Sequence, residues 1–356
     1  MSYKFPYEWT LKNANFTKDK GKVFSCFACG GGSTMGYKLA GFDVIGMNEI
    51  DPKMAAAYIA NHKPKYSFIE PIQTFKNRAD LPKELYELDI LDGSPPCSSF
   101  SIAGNREKDW GKAKKFREGQ SFQILDDLFY HFIDLAKVLQ PKIVIAENVK
   151  GLLFGKSISY VREIYKQLDV AGYYCQHFLL DASRMGVPQR RERVFFIALR
   201  KDLAGQFLYQ KDIFTVLPKL ELKFNHIPIT YKEIKTEGND NSFTEHDLLA
   251  WNNRIKSDSK YSDVFLRIKN KETNFNSRFI KDEKVCNTIT STSGSKMVSY
   301  SEPRKLNNAE LIKIGSFPLD YDFSGNNVKY IIGMSVPPVM VAQIASEIYN
   351  QWNEVF

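Results

Sequence analysis

Residues 22–49 read KVFSCFACGGGSTMGYKLAGFDVIGMNE. Lys22 to Phe27 predicts a β-strand, the cluster Gly30-Gly31-Gly32 a tight turn, and about Ser33 to Ala40 a helix. Asp43 to Asn48 predicts a second strand, followed directly by Glu49. A strand, a helix and a second strand in this order are the repeating unit of a parallel sheet. Glycines in such a turn let the backbone approach a ligand, and the helix N-terminus favours polar or anionic groups. Glu49 stands 18 residues after Gly31, where an acid suits a ribose diol. The strict dinucleotide pattern G-x-G-x-x-G fails, because its third position is Met35. Phosphate cradling is therefore not indicated, and a nucleoside ligand without a pyrophosphate fits better than NAD. The alternative is a tight strand–helix turn with no ligand at all.

The alternation continues outward from this unit. A helix is expected from about Pro52, and Leu88 to Leu91 predicts a strand running into Asp92-Gly93. From Phe122 onward Leu125, Leu128, Phe129, Phe132, Leu135, Ala136 and Leu139 recur at three and four, the spacing of a one-faced helix, which Pro141 closes. Ile143 to Ala146 reads as a buried strand, Ile158 to Leu168 as a helix ending near Gly172, and Val194 to Leu199 as another buried strand. The pattern predicts an α/β fold with a doubly wound, mostly parallel sheet covered on both faces. Residues 201–285 differ: periodicity is weak, and EGNDNSFTEHD and KSDSKYSD crowd polar residues together. A smaller, irregular second domain is expected there. Order returns at Cys286, with a helix N-capped by Asn307 and another from Val339 to about Trp352. The expected organisation is a catalytic domain over 1–200, a second domain over 201–285, and a return to the first over 286–356.

Composition narrows the class. The chain has 356 residues, 43% hydrophobic and 25% charged, which excludes disordered, collagen-like and disulfide-scaffold proteins. A net charge of +8 favours a polyanionic partner. Five scattered cysteines point to a reducing compartment, and the polar start of the chain carries no secretory h-region, so a cytoplasmic protein is expected. No run approaches the roughly 18 apolar residues of a membrane span. The histidines show no metal-ligand spacing, so no metal is expected.

Four places can carry chemistry. Cys97 lies in DGSPPCSSFS just after a strand, in a loop stiffened by prolines at the carboxyl edge of the sheet, where doubly wound folds bind ligands. A neutral cysteine is largely thiol at neutral pH, so a nucleophilic role needs activation. Glu147 leaves the buried strand KIVIA at the start of Glu147-Asn148-Val149; a carboxyl there can act as a proton donor or sit in a solvated turn. In QRRER, Arg191 and Arg193 share a face by the period of two and can reach one anionic or carbonyl-bearing site. Cys26 and Cys29 form C-x-x-C, but with no second pair and no nearby histidine, packing is the reading over zinc or redox use.

Together and in order, Pro95-Pro96-Cys97, Glu147-Asn148-Val149, QRRER over 189–193 and GMSVPP over 333–338 resemble the motifs of the DNA (cytosine-5) methyltransferases of bacterial or phage modification type. The resemblance covers roughly 23–200 and 286–348. It implies a Rossmann-like S-adenosylmethionine-dependent methyltransferase fold, with 201–285 as target recognition domain. It implies cofactor contacts from Phe27, Ala28, Gly30, Gly31, Gly32, Glu49, Ile50, Ile72, Asp92, Ser335 and Val336. Phe27 packs near the adenine in this reading, and Glu49 takes the ribose hydroxyls. It implies catalytic roles for Cys97, Glu147, Arg191 and Arg193. Several positions depart from the family pattern. Cys29 stands where F-x-G-x-G-G has its first glycine, Pro71 where an Asp is frequent, Ser98 where Gln is usual, and Met334 where Asn is usual.

The implied mechanism follows from cytosine itself, whose C5 is a poor nucleophile. Cys97 adds to C6, Glu147 hydrogen-bonds N3 and protonates it, Arg191 supports the carbonyl oxygen, and Arg193 orders the loop or Glu147. The base must leave the duplex stack first. The loop over 94–120, with six basic and three acidic residues, is expected to close over it and contact phosphates. Arg254, Arg267, Arg278, Asn252 and Asn253 are the residues of the second domain able to read bases. Double-stranded DNA is the expected partner, bound by a monomer, with a restriction endonuclease acting separately on the same site and no membrane involved. Two alternatives remain at this point: a tRNA cytosine methyltransferase, which shares the Ser-Pro-Pro-Cys form, and a non-catalytic nucleic-acid-binding protein on the same scaffold. The long variable segment and the basic loop lean toward DNA.

Overall fold

The computed structural model describes residues 4–96, 127–155, 157–212, 216–238, 243–270, 277–291 and 296–356, with the backbone of two short strands, Ala113–Lys114 and Gln123–Ile124. Cys97 and most of the basic loop lie outside the described residues. The chain folds into two compact units. One comprises 15–181, 192–223 and 341–356; the other comprises 1–14, 182–191 and 224–340. Most of the expected recognition segment therefore shares its unit with residues 286–340.

The first unit is built on a seven-stranded sheet. Its strands are β1 (Lys22–Cys26), β2 (Asp43–Asn48), β3 (Tyr66–Phe68), β4 (Ile90–Gly93), β5 (Ile143–Val149), β6 (Tyr173–Asp181) and β7 (Glu192–Arg200). The spatial order is β3-β2-β1-β4-β5-β7-β6, parallel throughout except β7, which runs antiparallel to both neighbours. The mostly parallel sheet expected from the alternation is present. The order reverses between β1 and β4, so the loops after these strands diverge and leave a crevice at their carboxyl ends.

Helices α1 (Gly32–Leu39), α2 (Pro52–His62), α3 (Ile72–Phe75), α4 (Leu128–Leu139) and α5 (Ser157–Val170) belong to this unit. The three-and-four spacing read from Phe122 holds in α4, where Leu128, Phe129, Phe132, Ile133, Leu135, Ala136 and Leu139 are all buried. These residues join Phe24, Leu91, Val144, Ala146, Ile164, Phe196 and Ala198 in one apolar core. Asp51 caps α2 by accepting from the Lys53 N–H at 2.9 Å, with Pro52 at the first helical position. Strand β6 was not expected from the sequence. Its residues YYCQHFLLD alternate buried and accessible positions irregularly, because it is the edge strand and pairs only with β7.

The second unit contains the helices Glu245–Asn252, Tyr261–Lys269 and Asn308–Ile314. Asn307 caps the last, as expected, accepting from the Glu310 N–H at 2.9 Å. Tyr261, Val264, Phe265, Phe279 and Val298 form a small core. Arg304 is 3% exposed and is neutralised by a two-pronged ion pair with Glu310, at 2.8 and 2.9 Å. The Tyr231 hydroxyl donates to the same carboxylate at 2.9 Å. The apolar stretch Val328–Gln351 is long enough to cross a membrane, but 83% of its most apolar window is buried inside the protein, which marks it as core.

Candidate active site

The chain leaves β1 through a run of left-handed residues: Phe27 (φ 53°), Cys29 (φ 47°) and Gly31 (φ 76°). Only Gly31 takes this conformation without a Cβ penalty. The other two are held by their bonds and packing. The Cys29 N–H donates to Glu49 Oε2 at 2.8 Å, and the Phe27 ring packs against Phe132 with centroids 6.4 Å apart. Ala28 N–H donates to the Asn48 carbonyl at 3.2 Å, and Gly31 N–H to the Ala28 carbonyl at 2.8 Å. Helix α1 then starts at Gly32 without a side-chain cap.

Glu49 ends β2 and is 8% exposed. Its second oxygen accepts from the Asp51 N–H at 2.8 Å. Burial pushes this carboxyl above its ordinary range, and the backbone bonds from Asp51 and Cys29 pull it back. An ionised carboxylate has about four acceptor sites, so this one keeps capacity for a further donor such as a sugar hydroxyl. Ile50, beside it, is half-buried. Ile72 is buried in the core at the start of α3, and the Glu70 carboxylate is engaged by Arg78 at 3.0 Å.

Asp92, at the end of β4, accepts from three hydroxyls: Ser25 at 2.9 Å, Ser33 at 2.8 Å and Tyr37 at 3.1 Å. It is 3% exposed, and burial raises its pKa to about 6 against the lowering effect of these bonds. Its carboxylate ties α1 to β1 and β4, beneath the glycine turn.

The next strand end carries the acid. Glu147 sits near the end of β5, and Arg193 Nε lies 2.8 Å from Glu147 Oε1, with both side chains largely shielded. The antiparallel register of β5 and β7 sets Arg193 opposite Val149, two residues from Glu147 along the same face. Asn148 is buried and donates from Nδ2 to the Pro95 carbonyl at 3.1 Å. This bond fixes the root of the loop that continues into Cys97. The sequence reading had no role for Asn148. Its signal was its place between Glu147 and Val149, because successive strand residues point to opposite faces.

Arg191 is 2% exposed and lies in the other unit. Its guanidinium donates to the carbonyls of Ile289 at 3.2 Å and Gly333 at 3.1 Å. Gly333 fits closely against the backbone of Thr290 and Ser291, where a Cβ would come within 2.6 Å of Ser291 N. Ser335 and Val336 follow, both buried. Among the residues able to read bases, Arg254 is stacked on Trp251, 3.4 Å from its ring centroid, and donates to the Tyr300 carbonyl at 2.9 Å. Arg267 pairs with Asp258 at 2.8 Å. Asn253 donates to the Leu249 carbonyl at 2.9 Å. Asn252 and Arg278 are exposed.

Three of the other cysteines are poor nucleophiles. Burial pushes the thiols of Cys26, Cys175 and Cys286 up, and Cys29 is half-buried with its Sγ 3.7 Å from Met54 Sδ.

A family model for C-5 cytosine-specific DNA methylases matches residues 21–350. The type II methyltransferase M.NgoPII of Neisseria gonorrhoeae is 29% identical over 350 residues, covering 92% of this chain and 95% of its own. M.FnuDI of Fusobacterium nucleatum is 37% identical over 186 residues, about half of each chain (51% and 48%). Among solved structures, a DNMT2 mutant of Spodoptera frugiperda superposes with a TM-score of 0.61 at 18% identity, covering 93% of this chain and 99% of that one, which bears on the fold alone. The motifs, the sheet order and the family match converge: the chain belongs to the C-5 cytosine-specific DNA methylase family and is a DNA (cytosine-5-)-methyltransferase.

Proposed function

We propose that the chain transfers the methyl group of S-adenosylmethionine to C5 of cytosine within a specific duplex DNA sequence, by covalent addition of Cys97 to C6 of a flipped-out base. The observation that carries this reading is the sequence of groups along the carboxyl ends of β1, β2, β4 and β5. They are the Glu49-anchored glycine turn, the Pro95 carbonyl held by Asn148, and Glu147 braced by Arg193. The turn and Glu49 would hold the cofactor's amino-acid and ribose ends, with Phe27 against its adenine. The cofactor supplies an electrophilic methyl group on a sulfonium. The Cys97 thiolate adds to C6 and breaks the ring's aromaticity. Glu147 gives a proton to N3, so electron density gathers at C5 rather than on nitrogen. Once C5 has taken the methyl group, the sulfonium having left as a neutral thioether, loss of the C5 proton, departure of the Cys97 thiolate and return of the N3 proton to Glu147 would restore the ring.

Arg193 keeps the Glu147 carboxyl in place. Arg191, bonded to the Ile289 and Gly333 carbonyls, braces the segment that leads to Ser335, and any contact it makes to the base adds to that role. The type II methyltransferase relatives support a place in restriction–modification or as an orphan modification enzyme. The setting would be the cytoplasm, with a monomer bound at the DNA.

Bisulfite sequencing of DNA from a host expressing the protein tests this directly. Cytosine in one short sequence context should resist conversion. Protection confined to tRNA, with none in DNA, would overturn the DNA reading. The cofactor assignment has its own test. Glu49→Ala should weaken S-adenosylmethionine binding by about 1–3 kcal/mol in calorimetry, through the lost ribose bond and a loosened turn. Equal affinity of the wild type for NAD would refute it.

A further inference from the structure

Behind the glycine turn lies a histidine that no catalytic step uses. His62 is the last residue of α2 and is 7% exposed. Its ring meets the Tyr58 ring edge-on, with centroids 4.7 Å apart, and the Tyr58 hydroxyl shares a 2.8 Å hydrogen bond with Thr34 of α1. On its other side the imidazole fills the space over Gly31. A Cβ built there would collide with His62 Nε2 and lie 2.6 Å from Cδ2. The Gly30 backbone adjoins the imidazole. The Lys38 ammonium of α1 donates to the His62 carbonyl at 3.3 Å, so backbone and ring of this residue both engage the turn and its helix.

Burial, with the Lys38 charge adding to it, drives the imidazole pKa down to about 3 against the pull of the Gly30 backbone. The ring is therefore neutral at any pH the protein works at. It braces the turn without placing a positive charge beside a site meant for a sulfonium.

We propose that His62 is a positioning residue for the cofactor: its ring, packed between Tyr58 and Gly31, fixes the Gly30–Gly31 turn from which the loop and the start of α1 meet the ligand. This rests on the S-adenosylmethionine reading above. Gly31 and His62 are then complementary, since the glycine makes room for the ring and the ring holds the glycine at positive φ.

The test is S-adenosylmethionine titration of the full chain, paired with steady-state kinetics. His62→Ala should weaken cofactor binding about tenfold, through the packing lost with a buried ring. His62→Phe keeps a flat ring between Tyr58 and Gly31 and should bind to within about threefold of wild type. His62→Gln keeps an N–H but no ring and should lose a factor near that of His62→Ala. In the Ala and Gln variants, KM for the cofactor should rise while kcat at saturation stays nearly level, a split that general loosening of the fold would not give. Should the Ala variant not fold, the comparison of Gln with Phe decides. Gln binding more tightly than Phe, or a fall in kcat with KM unchanged, overturns the proposal. A wild-type protein that binds no S-adenosylmethionine refutes the cofactor reading and this inference with it. Wild-type binding matched by all three variants refutes only the role of His62.

Discussion

Cys97→Ser should abolish both methylation and covalent capture on DNA that carries 5-fluorocytosine at the target site. Fluorine at C5 cannot leave as a cation, so elimination stops after methyl transfer and the thioether to Cys97 persists. A serine hydroxyl is far less ionised and less nucleophilic than a thiol, and removing a covalent nucleophile lowers turnover by more than about 10⁴-fold. Cofactor and DNA affinity should largely survive, because they come from other groups. Replacing Cys26, Cys175 or Cys286 should leave capture intact. These three are buried with their thiols pushed up, and none can present a thiolate. An adduct that survives in Cys97→Ser, read as a shifted band on a denaturing gel, would mean that another residue attacks C6. A wild type that forms no adduct with cofactor and a confirmed site would favour the non-catalytic scaffold.

The sheet was legible because its strands are buried on both faces and read as continuous apolar runs. Val144, Ile145 and Ala146 or Phe195, Phe196 and Ile197 leave little choice. Strand β6 was not, since an edge strand carrying His177 and Gln176 has no such run. The helices Glu245–Asn252 and Tyr261–Lys269 escaped notice for another reason. Their unit is small, its apolar core is short, and Leu248, Leu249 and Leu266 remain exposed, which blurs a one-faced pattern. At the site, the residue types were legible and their partners were not. Glu49 and Glu147 announce themselves by standing at strand ends. That Glu49 accepts from the Cys29 and Asp51 N–H groups, or that Asp92 gathers Ser25, Ser33 and Tyr37, depends on loops whose conformation no spacing encodes. The two arginines of QRRER looked equivalent by their period. Geometry separates them: Arg193 braces Glu147, and Arg191 bonds the Ile289 and Gly333 carbonyls.

Glu147→Gln should lower kcat by about 10²–10⁴-fold, the range for loss of a positioned general acid. The side chain keeps its shape, and its amide oxygen can still accept from Arg193 Nε, now 2.8 Å from Oε1, so the fold and the Asn148–Pro95 bond should stand. What is lost is the proton for N3. Without it, charge from the adding thiolate stays on the ring nitrogens and carbonyl, and C5 gains too little density to attack. Addition of Cys97 should therefore be slowed, and capture on 5-fluorocytosine DNA should become slow rather than vanish, in contrast to Cys97→Ser. S-adenosylmethionine affinity should stay near wild type, because Glu49 and the glycine turn are unchanged. Arg193→Ala offers the complementary case. It leaves a largely shielded carboxylate without its charge partner and without its fixed direction. Its kcat should fall, while S-adenosylmethionine affinity again stays near wild type. Full wild-type turnover by Glu147→Gln would remove this residue from the proton transfer and leave N3 to water or to the arginine.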